Sequence, residues 1–178
     1  TREWVELFDE HRVDVGVSMD GPEAVHDRRR VDHRGRGSHH AVLRGLDLLR
    51  EGGVAFAVLS VIDFDADPLE VHEHVTALGP AQISYLMPHH THDDIAEVRA
   101  RHGETPCLGW LGPVLDRWWE HGTLRTSVQP FRTMARLILG GSSDLDLFGG
   151  APLGFCFVET DGAIEGLDVL RICEDGFA

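Results

Sequence analysis

The sequence predicts an α/β fold built around parallel strands. Three short apolar segments, beginning near residues 13, 55 and 82, have the character of strands. Stretches with helical periodicity separate them, each about 12 residues long, which is typical of βαβ units in a parallel sheet. Right-handed crossovers between such strands would bring all three carboxyl ends to one edge of the sheet.

The first part of the chain alternates helix and strand. Residues 1–12 have the apolar spacing of an amphipathic helix. Valines at every second position from Val13 to Val17 predict a strand, which Gly21-Pro22 ends. Ser38 is a favourable N-cap for the next helix, and Gly52-Gly53 predicts its end.

The middle of the chain repeats this pattern. The continuous apolar run over residues 55–62 predicts a strand that is covered on both faces. Asp67-Pro68-Leu69-Glu70 combines an N-cap, a proline in the first turn and an acid three residues later, so a helix should begin there and end at Gly79-Pro80. Residues 82–87 predict the third strand.

The pattern changes after residue 92. A helix is predicted to open at Thr105, and another over residues 127–139. Asp161-Gly162 lies between two alternating segments over residues 154–165, which predicts a β-hairpin. We therefore expect a boundary between modules near residues 125–150, with a first domain over 1–126 and a second over 127–178.

Composition narrows the range of functions. The net charge is −14, so nucleic acid and anionic membranes are unfavourable partners. The sequence contains no lysine, which excludes a lysine Schiff base and a phosphate-loop lysine. No apolar run approaches the ~20 residues that span a bilayer, and no leader opens the chain, so we expect a soluble cytoplasmic protein.

Polar residues follow each predicted strand. Ser18-Met19-Asp20-Gly21-Pro22 ends the first, Asp63 to Asp65 ends the second, and Met87 to His90 ends the third. If the strands are parallel, these side chains converge at the edge where α/β folds bind ligands. The alternative for the first segment is a surface turn in which Asp20 caps the following segment.

The first of these segments carries a family resemblance. Ser18-Met19-Asp20-Gly21-Pro22, followed by His26-Asp27 and Arg30, resembles the S-[LM]-D-G-P…H-D-x-x-R motif of radical S-adenosylmethionine (radical SAM) enzymes that carry SPASM-type domains. The segments over 34–38 and 85–90 resemble the FxsB-type branch, which matures ribosomally made peptides. The resemblance implies the C-terminal half of a partial (β/α)6 barrel, followed by helices and a SPASM-like β-hairpin.

The resemblance also implies a set of ligand contacts. S-adenosylmethionine (AdoMet) would be bound by Ser18, Asp20, Gly21, Arg30, Arg36 and Met87. Ser18 would contact its ribose or methionine part, and Arg30, with Arg36 as a substitute, would hold its methionyl carboxylate, a task suited to a guanidinium. The substrate side would be lined by Asp63, His89 and His90. His26 and Asp27 would either touch the substrate or hold the loop in place.

The cysteines depart from the family pattern. The family binds its reducing 4Fe-4S cluster through Cys-x-x-x-Cys-x-x-Cys, but the first cysteine here is Cys107. We therefore expect the ligands of that cluster to lie outside this chain, which would be a fragment or a degenerate relative and inactive alone. Cys156 and Cys173 bracket two glycines, as do the ligands of an auxiliary 4Fe-4S cluster in SPASM-type domains; core packing is the alternative.

These expectations define a leading hypothesis and two alternatives. By resemblance, the complete enzyme would use a 5′-deoxyadenosyl radical to abstract hydrogen from a ribosomally synthesised precursor peptide, leading to a carbon–carbon cross-link. A metal-dependent hydrolase using the loop from His89 to His92 is one alternative, because imidazoles are good zinc ligands. A non-catalytic peptide-binding relative is the other. The sequence identifies no catalytic residue.

Overall fold

Four parallel strands form the centre of the molecule. In a computed structural model, residues 1–120, 126–143 and 156–165 are described. Their elements are α1 (Arg2–Glu10), β1 (Val15–Ser18), α2 (Glu23–His26), α3 (His39–Glu51), β2 (Phe56–Val61), α4 (Pro68–Ala77), β3 (Gln82–Leu86), α5 (Ile95–His102), α6 (Pro106–Glu120), β4 (Ser127–Val128), α7 (Gln129–Ile138), β5 (Phe157–Val158) and β6 (Ile164–Glu165). None of the helices in these ranges could cross a membrane.

The main sheet has the order β1-β2-β3-β4. Each neighbouring pair is parallel, with Ser18 opposite Leu59 and Ser60 opposite Tyr85. The carboxyl ends of β1, β2 and β3 therefore share one edge, as predicted. The α/β prediction is confirmed.

The two faces of the sheet differ. Val58, Ile83 and Val128 are fully buried on one face, where they pack in a single core with helix residues such as Leu46 and Val75. Residues on the opposite face of β2 are only half-buried. Within the described residues, the prediction that β2 is covered on both faces is confirmed for one face, and the other face is only partly covered.

The elements β4 and α5 were not predicted from the sequence. Residues 127–139 were expected to be one helix, but Ser127–Val128 forms β4 before α7 begins at Gln129. A two-residue strand is too short to show alternation, and its pairing with β3 is a long-range contact. Helix α5 buries none of its residues, so it has no apolar stripe to reveal it.

The predicted hairpin is confirmed within the described residues. Strands β5 and β6 are antiparallel, and Gly162 has φ of 88°, a conformation that favours glycine. Asp161 accepts a hydrogen bond from the Ala163 amide at 2.9 Å, which stabilises the turn. The division into domains 1–126 and 127–178 stays a prediction, and β4, which follows residue 126, pairs with β3.

Candidate functional site

A cavity lies at the carboxyl ends of β2 and β3. It has a volume of about 440 Å³, and we call it the carboxyl-edge cavity. Four residues predicted from the sequence line it, namely Asp63, Met87, His89 and His90. Val61, Leu86 and Phe64 give it an apolar wall. The structure thus brings together the residues that follow β2 and β3.

The predicted residues after β1 lie beside this cavity and not among its lining. Ser18 is exposed at the end of β1, and Asp20 is buried. Gly21 has φ of 133°, and a Cβ there would lie 3.0 Å from Val71 Cγ2, so the turn requires glycine.

Asp20 connects the ends of β1 and β2. Its Oδ2 accepts from Arg30 Nε at 2.5 Å, and its Oδ1 accepts from Arg30 Nη2 at 3.1 Å. The same Oδ1 accepts from the Val61 amide at 2.9 Å. The two carboxylate oxygens of Asp20 thus accept three hydrogen bonds. Two of the N–H groups of the Arg30 guanidinium are therefore already bonded to Asp20.

His26 holds the loop after β1 in place. The amide of Asp20 donates to His26 Nδ1 at 3.2 Å, so the proton of the neutral ring lies on Nε2. Nε2 then donates to Ser38 Oγ at 3.0 Å, and Ser38 donates to the Arg30 carbonyl at 2.9 Å. The ring is fully buried, and this burial lowers the pKa of His26. These are the contacts of a structural residue.

Asp27 caps α3 in place of Ser38. Ser38 occupies the predicted N-cap position but makes no side-chain cap bond, since its hydroxyl bonds to the Arg30 carbonyl. Asp27 Oδ1 instead accepts from the His39 amide at 2.9 Å. A Cβ on Gly37 would lie 1.9 Å from Asp27 Oδ2, so glycine allows the loop to approach this carboxylate.

The arginines of the loop have different partners, although the sequence places them close together. Arg28 pairs with Asp63 at 3.2 Å. Arg36 pairs with Asp32 at 2.8 Å on an exposed loop, outside the lining of the cavity, and its hydrogen bonds lower the pKa of Asp32. Arg29 lines the cavity and has no carboxylate partner among the described residues. The sequence motif selects Arg30, with Arg36 as a substitute, and not Arg29, because adjacent arginines cannot be told apart without the fold.

The histidine loop forms a wall of the cavity. His90 Nδ1 bonds to Asp94 Oδ2 at 2.7 Å, which lowers the pKa of Asp94. Phe64 packs between the rings of His90 and His102, at centroid distances of 6.1 and 5.6 Å. Among residues 1–120, 126–143 and 156–165, no group of three or more His, Cys, Asp or Glu side chains is arranged to hold a metal ion.

Two of the three cysteines lie in the described ranges. Cys107 is half-buried in the first turn of α6, and burial raises the pKa of its thiol. Cys156 is exposed next to β5. Cys173 lies outside the described residues. A 4Fe-4S cluster needs several thiolates placed together, so the described part of the chain does not fit one.

The fold is shared with solved structures. Native anSMEcpe with bound AdoMet superposes with a TM-score of 0.77 at 22% identity, covering 95% of this chain and 48% of that one. Native anSMEcpe with bound AdoMet and the Kp18Cys peptide gives a TM-score of 0.74 with the same coverage. This chain therefore shares the fold of about half of the anSMEcpe chain.

The similar sequences include those of anaerobic sulfatase-maturating enzymes. The serine-type anaerobic sulfatase-maturating enzyme of Klebsiella aerogenes is 36% identical over 84 residues, which is 46% of this chain and 21% of that protein. The cysteine-type enzyme of Clostridium perfringens strain 13 is 25% identical over 173 residues, covering 93% and 46%. The chain thus spans less than half the length of these relatives. No family model matches it.

Proposed function

We propose that this chain is the AdoMet- and peptide-binding part of a radical SAM enzyme that modifies a side chain of a ribosomally synthesised peptide. One observation carries the proposal. The carboxyl ends of β2 and β3 form a cavity lined by Arg29, a guanidinium without a carboxylate partner among the described residues, and the fold is shared with AdoMet-bound structures.

The chemistry of the carboxyl-edge cavity fits AdoMet. A zwitterionic methionyl group needs a cationic partner for its carboxylate and an anionic partner for its ammonium, and Arg29 provides the first. Asp63 would provide the second while its oxygens also accept from Arg28 and from the Asp65 amide. The apolar wall at Val61 and Leu86 suits a purine, and we place Met87, next to Leu86, beside the adenine. AdoMet, when bound, would supply the 5′-deoxyadenosyl group for hydrogen abstraction.

The contacts of the loop change which guanidinium we assign to the ligand. Arg30 would have to leave Asp20, and Arg36 would have to leave Asp32, before either could bind a ligand carboxylate through the same donors. Arg29 has no such competitor among the described residues. We therefore assign the carboxylate to Arg29, and we assign to Asp20, Gly21 and Arg30 the role of shaping the loop beside it. Ser18 remains a proposed ribose contact.

The finer assignments are also proposals. We propose that the peptide side of the cavity is formed by His89 and His90, and that the reaction is the carbon–carbon cross-linking of an FxsB-type enzyme. Oxidation of a peptide serine or cysteine side chain to an aldehyde is the other outcome for the same cavity, since the relatives are serine-type and cysteine-type sulfatase-maturating enzymes. Cys156 and Cys173 are proposed as ligands of an auxiliary 4Fe-4S cluster, with the reducing cluster bound by residues outside this chain.

Calorimetric titration of the 178-residue chain with AdoMet tests the proposal. Wild type should bind, and Arg29→Gln should weaken binding about tenfold, the loss expected for one charge-assisted hydrogen bond. Arg34→Gln is the matched control, because Arg34 lies in the same loop but does not line the cavity. Undetectable binding at millimolar AdoMet, or equal effects of the two substitutions, would refute the assignment.

Tandem mass spectrometry of a peptide treated with the anaerobically reconstituted enzyme separates the two reactions. A cross-link prevents fragmentation between the linked residues, whereas a side-chain aldehyde reacts with a hydrazine. A peptide that is unchanged while AdoMet is cleaved would contradict the peptide as substrate.

A further inference from the structure

A second and larger cavity lies between α6 and α7. Its volume is about 680 Å³, and it extends to Gln82, the first residue of β3. None of its lining residues lines the carboxyl-edge cavity. We call it the α6–α7 groove, and its walls include Trp118 and Trp119 on one side and Arg132 and Arg136 on the other.

The α7 side of the groove is positively charged in an acidic protein. The chain has 30 acidic residues, yet the α7 sequence QPFRTMARLI contains none. Arg132 donates to Ser127 Oγ at 2.8 Å, and the guanidinium of Arg136 has no hydrogen-bond or ion-pair partner in the described part of the chain. Like charges four residues apart on a helix repel each other. An anion bound between the two guanidiniums would relieve this repulsion.

The α6 side offers an apolar surface. Trp118 is held by a hydrogen bond from its Nε1 to the Thr126 carbonyl at 3.2 Å and by packing against Phe131. The adjacent Trp119 is 77% exposed, and Leu139 across the groove is also exposed. Tryptophan and arginine are the residues most enriched where binding energy concentrates at protein interfaces. Here both types line one groove.

Backbone geometry limits the ligand further. Residues four apart on a helix are about 6 Å apart along its axis. Alternate residues of an extended peptide lie on one side at about 6.6 Å spacing. The spacing of carboxylates at alternate positions of an extended segment therefore matches the spacing of Arg132 and Arg136 along α7. A nucleic acid would be repelled by the net charge of −14, whereas a short acidic peptide carries far less charge.

We propose that the α6–α7 groove binds an extended acidic peptide segment. Two acidic side chains of the segment, at positions i and i+2, would pair with Arg132 and Arg136, and an apolar side chain near them would pack on Trp119. This site is separate from the carboxyl-edge cavity, and the proposal does not depend on AdoMet chemistry. Recognition of such a segment would hold a peptide or protein partner on the enzyme while leaving the carboxyl edge of the sheet open.

Fluorescence anisotropy with a labelled synthetic peptide tests this proposal. The probe is an uncharged glycine–serine peptide that contains a central Glu-Ser-Glu-Ser-Leu segment, and the reference peptide has Gln in place of both Glu. Only the acidic probe should bind the 178-residue chain, and added salt should weaken it. Arg132→Gln and Arg136→Gln should each weaken binding about fivefold, as expected for a partly exposed ion pair.

Matched substitutions distinguish this groove from general electrostatic attraction. Arg44→Gln removes an exposed guanidinium on α3, and Trp4→Ala removes an exposed indole on α1; both should leave probe affinity unchanged. Trp119→Ala should weaken it. Arg136→Glu should abolish binding of the probe and restore binding to a version with Lys for one Glu. Equal affinity for the acidic and reference peptides, or an equal effect of Arg44→Gln and Arg136→Gln, would overturn the proposal. Circular dichroism checks that each variant is folded.

Discussion

Replacing Asp20 by Asn tests whether this carboxylate joins the ends of β1 and β2. In the structure its two oxygens accept from Arg30 Nε, Arg30 Nη2 and the Val61 amide. Asparagine offers one oxygen and one NH₂ group, so in either orientation a donor faces another donor. The substitution must therefore leave the Val61 amide or an Arg30 N–H without a partner.

The size of the effect follows from burial. Removing one partner of a buried ion pair costs about 3–5 kcal/mol. The Asp20 side chain is 10% exposed and that of Arg30 is 31% exposed, so the loss should lie at the lower end, about 3 kcal/mol of the free energy of unfolding. For a chain of this length, that loss lowers the melting temperature by roughly 6–12 °C.

Urea unfolding followed by circular dichroism measures this loss. The Asp20→Asn and Arg30→Gln variants and their double mutant form a cycle, in which we expect a coupling energy above about 1 kcal/mol. Glu51→Gln is the control, because it removes an exposed pair with Arg2 at 3.5 Å and should cost less than about 0.5 kcal/mol. If Asp20→Asn costs no more than this control, Asp20 does not connect the two strands. If the two substitutions are additive, Asp20 and Arg30 do not act as a pair.

Three further predictions concern the same loop and the helices beside it. Gly37→Ala should lower the melting temperature, because its Cβ would overlap Asp27 Oδ2, whereas Gly45→Ala, with open space inside α3, should stabilise by about 0.5–1 kcal/mol. Burial lowers the folded pKa of His26 below its ordinary value of 6.5, so the unfolded chain binds more protons in this range. Stability should therefore fall as the pH drops below about 6.5, and His26→Gln should flatten this part of a melting-temperature profile. Asp67→Ala should cost about 1 kcal/mol in urea unfolding, because it removes the cap of α4; no loss would contradict the cap.

The sequence predicts those features that depend on local chemistry. The cap at Asp67, with Pro68 in the first turn, is confirmed because it needs only neighbouring residues. The parallel strands were predictable from alternation and length. The pairing of β4 was not, since two residues carry no period and their partner, β3, lies some 40 residues earlier in the chain.

The sequence predicted where the candidate site lies, but it did not predict which side chains contact each other there. Residues after β2 and β3 converge because parallel strands must end at one edge. Which carboxylate each arginine pairs with depends on the path of the loop after β1. The spacing of residues in the sequence does not determine that path. His26 shows the same limit, because its motif position identified it while only its contacts with Asp20 and Ser38 reveal its role.

Internal pairing determines which charges at this edge are available to a ligand. A ligand carboxylate that binds Arg30 must displace Asp20, whose oxygens would then lose charge-assisted hydrogen bonds in a site with little access to water. Binding to Arg29 removes only hydration from an exposed guanidinium. The second route leaves every bond of the loop intact and costs less. An arginine adjacent to the motif can therefore bind the ligand while the motif arginine maintains the loop that positions it.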